Sequence, residues 1–325
     1  MSDLVPDLRR FRVAPALLRR LSILAAALLA LIVVTGATVR LTSSGLGCPT
    51  WPKCTQTSLV APASYHALVE FVNRVVTFLV GVFVALVAIA SLLRAPRRRD
   101  LVLLAWSLVA GFLGQAVIGG LSVIYHLAPP WVMGHFLLSM LLVWASLVLV
   151  HRAHPDWTPR RPRAPRELLW LGRLLVLVAG GVLFLGTVTT GTGPHAGSGG
   201  HVQRLRFPLE RVTQLHADSA LLLTGLVVAT VFAVRLAHAT VLVRRRSDLL
   251  AGAVLLQVAI GYTQYFLNLP PSVVELHVAG ATLLWAATLW LQLGFTAAQR
   301  PVPFPRALPV LAHAAPLAER EKVVR

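Results

Sequence analysis

Eight apolar stretches, each long enough to cross a bilayer, dominate this 325-residue chain. A membrane-spanning helix takes about 20 residues. The stretches run near Leu21–Val39, Ala67–Leu92, Leu101–Ile124, Trp131–Val150, Leu171–Thr189, Val212–Val234, Leu249–Leu267 and Ser272–Phe295. With 56% hydrophobic and only 13% charged residues, the chain is no ordinary soluble domain. The first stretch has the basic front of a signal peptide. Its length, and the lack of a small-x-small cleavage site after it, make it a retained helix. The expected fold is all-α: a polytopic membrane protein whose eight transmembrane helices form two pseudo-symmetric four-helix bundles.

A net charge of +18 raises nucleic acid as a partner, but the placement of the charge argues against it. Arginines cluster between alternate apolar stretches, at Arg9, Arg10, Arg12, Arg19 and Arg20, then at Arg94 and Arg97–Arg99. Further clusters fall between Arg152 and Arg173, at Arg235 with Arg244–Arg246, and in the tail from Arg300. The positive-inside rule puts all of these in the cytoplasm, with both termini, where they also attract anionic membrane lipid. The expected divisions are a cytoplasmic segment 1–20, a first half 21–150, a cytoplasmic linker 151–170, a second half 171–295 and a cytoplasmic tail 296–325. The tail is proline-rich and basic, a composition expected to be disordered.

An internal repeat points to chemistry. Gln115-Ala-Val-Ile-Gly, a proline pair and His135 recur as Gln257-Val-Ala-Ile-Gly, a proline pair and His277, with 20 residues from glutamine to histidine in both. The second apolar stretch of each half extends the match, since His216 precedes His277 by 61 residues and Asn73 precedes His135 by 62. Repeats of this kind place binding sites symmetrically. All four residues are expected one or two helical turns inside the outer end of their helices.

A neutral imidazole is a good axial ligand for haem iron. Ionisable groups within a bilayer are functional candidates by default. His216 and His277, read as lying on neighbouring helices at matched depth, are the candidate pair. His135 has the same standing but faces Asn73, a poor iron ligand. His66, two turns outward of Asn73, is an alternative partner. Glu70 is a candidate acid/base, or else an i,i+4 partner of Arg74. Gln115 and Gln257 are expected to make interhelical hydrogen bonds. Arg40, Lys53, Arg204, Arg206 and Arg211 lie on the outer side, where anionic propionates or plain scatter of charge would account for them. His195 and His201 fall in a glycine-rich outer loop expected to cover the second site. Cys48 and Cys54 share the first outer loop, where an oxidising environment favours a disulfide.

The run Gly36-Ala-Thr-Val-Arg-Leu-Thr-Ser-Ser-Gly-Leu-Gly-Cys-Pro-Thr-Trp-Pro-Lys-Cys resembles the first-loop signature of the haem A synthases. The run Glu70…Asn73-Arg74, the run Gly191-Thr-Gly-Pro-His-Ala-Gly, and the helices bearing His216 and His277 are also similar to that family. The resemblance implies oxidation of a ring methyl of haem O to the formyl of haem A, for terminal oxidase biogenesis. It implies a cofactor haem b on His216 and His277, and substrate haem on His135 with Glu70 and Arg74 nearby. It also implies a Cys48–Cys54 disulfide near that substrate. Haem O synthase and terminal oxidase assembly proteins are the implied partners, in the cell membrane, with the haem sites toward the outer face. Many members carry a histidine where this chain has Asn73. Two other readings use the same residues. One is a di-haem b electron-transfer protein, the other a membrane thiol oxidoreductase built on Cys48 and Cys54. A transporter would instead need a midplane polar site, whereas the polar groups here crowd the outer side.

Overall fold

The computed structural model describes residues 12–155, 157, 164–200 and 202–296. Among them eight helices are long and apolar enough to span a membrane, as the hydropathy pattern predicts. They are α1 (Pro15–Leu41), α2 (Tyr65–Leu93), α3 (Arg99–Ile124), α4 (Pro129–Arg152), α5 (Arg166–Thr192), α6 (Leu209–Leu236), α7 (Val241–Phe266) and α8 (Pro271–Thr296). The chain is a multi-pass membrane protein. Each helix starts one to eight residues before its apolar stretch, because intrahelical hydrogen bonding continues into flanking sequence until a breaker or a cap intervenes. Proline opens α1 and α4, where its missing N–H costs no bond. Basic residues close α1, α4 and α6, where they face the negative end of the helix dipole. The tail 297–325, His201 and most of the linker lie outside the described residues.

Two closed rings result. Helix α1 packs on α2, α2 on α3, α3 on α4 and α4 back on α1; α5 through α8 close in the same order. The rings meet through α1 against α8, α4 against α5, and α4 against α8. Exchanging α1 with α5 and α4 with α8 maps this set onto itself, so a pseudo-twofold axis runs between α4 and α8. On that axis the buried Trp285 indole N–H donates to the Met140 carbonyl at 3.0 Å and meets Trp144 edge to face.

The repeat is also visible in the backbone. Both helical hairpins turn through two consecutive left-handed residues, His126–Leu127 and Asn268–Leu269. In each, the second of these donates its N–H at 2.7 Å to a carbonyl of the preceding helix, that of Ser122 or of Gln264. Buried hydroxyls, including Ser22, Ser146, Thr230 and Thr288, donate to carbonyls of their own helices, so the apolar core holds no orphaned hydroxyl at these positions. Large apolar side chains such as Phe78, Leu103, Leu177 and Leu249 face outward and form a surface suited to lipid.

On one side of the bundle, here called the disulfide side, the loops of the two halves interlock. The Gly45 N–H donates to the Gly197 carbonyl at 2.7 Å, beside a Ser44–Ser198 bridge. Gly197 has φ +97°, and a Cβ there would sit 3.1 Å from the Leu127 side chain, so glycine is required twice over.

Candidate metal centres

His135, His216 and His277 stand seven, eight and seven residues into α4, α6 and α8, and Asn73 nine into α2. At 1.5 Å per residue these depths agree within about one turn, all on the disulfide side. The repeat therefore sets depth correctly. It does not set adjacency: α6 and α8 are diagonal across the second ring, not neighbours, because each packs on α5 and α7. Both imidazoles point into the ring, with centroids 6.3 Å apart and planes at 72°.

A glycine on the preceding helix seats each imidazole. A Cβ at Gly119 would lie 3.1 Å from His135 Cε1, one at Gly186 3.1 Å from His216 Cε1, and one at Gly261 3.3 Å from His277 Cε1. Repeat-matched Gly36 has nothing within 4 Å of that position. Gln115 Nε2 donates to the His135 carbonyl at 3.0 Å and to Ser139 Oγ at 2.6 Å. Gln257 Nε2 donates to the His277 carbonyl at 2.8 Å. The expected interhelical bonds thus hold the backbone of the histidine-bearing helices.

The donor set fits a metal centre held by two imidazoles. In all three histidines Nδ1 is buried without a hydrogen-bond partner among the described residues. A metal bonded to one nitrogen of each ring, at about 2 Å per bond, needs ring centres roughly 6 Å apart, which the His216–His277 pair supplies. No cluster of three or more His, Cys, Asp or Glu suited to a bare metal ion occurs among the described residues. Two axial positions and an apolar surround are what a metal macrocycle requires.

The first ring differs. Asn73 Oδ1 accepts from Thr35 Oγ1 at 2.8 Å, so its amide is tied to α1. His66 is exposed, and its Nδ1 pairs with Ser44 Oγ at 3.0 Å. Cys48 and Cys54 form a disulfide and are both fully buried. The loop between them packs against α3 next to the histidine seat: a Cβ on Gly120 would meet the Trp51 indole at 2.7 Å. Adjacent Gly119 and Gly120 thus admit His135 and Trp51 respectively.

Glu70 and Arg74 hold this loop. The Cys48 N–H donates to Glu70 Oε2 at 2.8 Å, and Arg74 donates to Glu70 Oε1 from Nη2 at 2.6 Å. Arg74 further donates to the carbonyls of Cys48, Thr50, Pro52 and Lys53. Both carboxylate oxygens of Glu70 are engaged, as the pairing alternative expects.

From α1 of the first half, Arg40 reaches the second, donating from Nε and Nη2 to the His195 carbonyl and from Nη2 to that of Thr190. Arg204 Nη2 donates to the carbonyls of Thr190 and Gly193. His195 Nε2 pairs with the Leu269 carbonyl at 2.9 Å, which ties the loop to the α7–α8 turn. Glu275, two residues before His277, accepts from Thr38 of α1 at 3.0 Å. Sequence reasoning missed this contact between the halves, because no periodicity links the two residues.

Comparison with known proteins finds relatives for part of the chain. The chain is 32% identical over 150 residues to a protein named Heme A synthase from Shouchella clausii, covering 46% of this chain and 50% of the relative. It is 26% identical over 160 residues to one of the same name from Exiguobacterium sibiricum, covering 47% and 54%. A third, from Geobacillus kaustophilus, is 31% identical over 122 residues, covering 37% and 38%. The chain spans about half the length, or less, of these curated relatives. The family model described as COX15-CtaA, cytochrome oxidase assembly protein, matches residues 19–197, more than half of the chain, including the disulfide loop, His135 and the His216-facing Gly186. This chain belongs to the COX15-CtaA family of cytochrome oxidase assembly proteins.

Proposed function

We propose that the chain is a haem A synthase, oxidising a ring methyl of haem O to the formyl of haem A. The observation that carries this is the His216–His277 pair, with rings 6.3 Å apart inside an apolar four-helix ring. A repeat-related His135 in the other ring supports it. In this reading His216 and His277 hold a resident haem b, and His135 holds the substrate haem. The haem b, when bound, supplies one-electron redox chemistry. Asn73, tied to Thr35, leaves the substrate iron with His135 as its one strong protein ligand. Gly119 and Gly261 let the imidazoles lie against helix backbone, and Gln115 and Gln257 fix the carbonyls behind them. Arg74 and Glu70 hold the disulfide loop beside the His135 site, where its Trp51 shields the substrate from water. The disulfide side faces the outside of the cell, and the arginine-rich side with both termini faces the cytoplasm.

Full engagement of Glu70 favours one second reading, a di-haem b electron-transfer protein with no chemistry on the porphyrin. The thiol oxidoreductase reading is disfavoured by the complete burial of Cys48 and Cys54. Expression in cells that make haem O, followed by extraction and chromatography of the haems, separates the first two. Haem A appears only if the synthase reading holds; haem B alone means electron transfer.

A further inference from the structure

Two guanidinium groups converge on one backbone oxygen. Arg40, at the end of α1, and Arg204, in the loop before α6, each donate from Nη2 to the Thr190 carbonyl. The ion pairs among the described residues are Arg74–Glu70, Arg98–Asp100, Arg152–Asp100 and Arg235–Asp248, so neither convergent cation has a carboxylate partner there. Arg204 Nε is also buried with no acceptor among those residues. Carbonyl dipoles orient such cations but do not neutralise two like charges held this close. Two converging guanidinium groups suit an anion, and arginine is the residue suited to gripping a carboxylate.

Position identifies the anion. Thr190 lies one helical turn, about 6 Å, beyond Gly186, the residue against which the His216 ring rests. Arg204 lines an open groove of about 990 Å3 with Thr192, Gly193, Leu209, Asn268 and Leu269. The groove therefore opens over the ends of α5 and α7 and the start of α6, the helix in which His216 stands eight residues from that start.

We propose that Arg40 and Arg204 form a carboxylate clamp for the propionates of the porphyrin held by His216 and His277. This rests on the haem reading above and adds to it. Since Arg40 belongs to α1, the first half fastens the cofactor of the second, and binding of that cofactor locks the two halves together.

The test uses iron protoporphyrin IX and its dimethyl ester, which keeps the macrocycle but removes both negative charges. Protein from haem-deficient cells is titrated with each, following the Soret band. The wild-type protein should bind the free acid about tenfold or more tighter than the ester, as expected for loss of charge-assisted bonds. An Arg40→Met/Arg204→Met variant should lose that preference while binding the ester as the wild type does. In the haem-loaded protein the same change should lower the midpoint potential, because positive charge near the iron favours its reduced form. Equal binding of acid and ester by the wild type overturns the clamp, and that measurement needs no variant to fold. Equal binding, with anionic phospholipid lost from the variant on extraction, assigns the guanidinium pair to a lipid headgroup and likewise overturns it. Failure of the wild type to bind either porphyrin refutes the haem reading itself.

Discussion

Glu70 and Arg74 form a closed pair, 2.6 Å apart one turn along α2, and both spend their remaining polar atoms on the backbone of the Cys48–Cys54 loop. This carboxylate, one turn before Asn73 on α2, is therefore a fastening for the loop that packs on α3 beside the His135 seat.

Replacing Glu70 with Ala removes the acceptor for both Arg74 and the Cys48 N–H. Breaking a buried ion pair costs about 3–5 kcal/mol, and the partial exposure of Arg74 brings the expectation to about 2 kcal/mol. The loop should loosen, trypsin should cut at Lys53, and the disulfide should become reducible by added thiol. Glu70→Gln retains an acceptor for Cys48 and should protect the loop. If the Glu70→Gln variant keeps the loop closed yet makes no haem A, the carboxylate acts on the substrate and the fastening role is insufficient.

The glycine seats offer a test that separates stability from ligand geometry. Alanine in a helix interior is favoured over glycine by about 1 kcal/mol. Gly186→Ala nevertheless places a methyl 3.1 Å from His216 Cε1, and Gly261→Ala one 3.3 Å from His277 Cε1. Both variants should fold normally and show a weakened or shifted low-spin haem spectrum. Gly36→Ala, with open space around it, is the control and should leave the pigment unchanged. An unaltered spectrum in Gly186→Ala would show that the imidazole does not ligate in this orientation.

Removal of either imidazole should be decisive. His216→Ala and His277→Ala should each abolish the low-spin spectrum of the second-half haem. Asn73→His should convert a first-half haem from five- to six-coordinate, because Asn73 occupies the repeat position of His216. A spectrum indifferent to Asn73→His would mean that α2 does not face His135 across that ring.

Gln257→Leu keeps the volume of the side chain but deletes its bond to the His277 carbonyl. Hydrogen bonds between membrane helices average about 0.6 kcal/mol and reach about 1.7. A loss in that range should appear in reversible unfolding from detergent, together with faster haem release. The matching Gln115→Leu should cost slightly more, since Gln115 also donates to Ser139. Stability equal to the wild type in both variants would remove the brace from the account.

Hydropathy alone located all eight helices, because a chain in hydrocarbon must satisfy its backbone locally and the apolar runs mark where it can. The repeat set the depth of His135, His216 and His277, since a helix converts sequence interval directly into height. The position of Gln115 and Gln257 inside apolar helices likewise foretold interhelical bonds, which the fold makes in both halves. Lateral arrangement was beyond that logic. Only tertiary packing put His216 diagonal to His277, gave both carboxylate oxygens of Glu70 to loop and arginine, and carried Arg40 across to the carbonyls of the other half. These contacts join segments far apart in the chain through loops without period, so their geometry follows from how the two rings close and not from any local pattern.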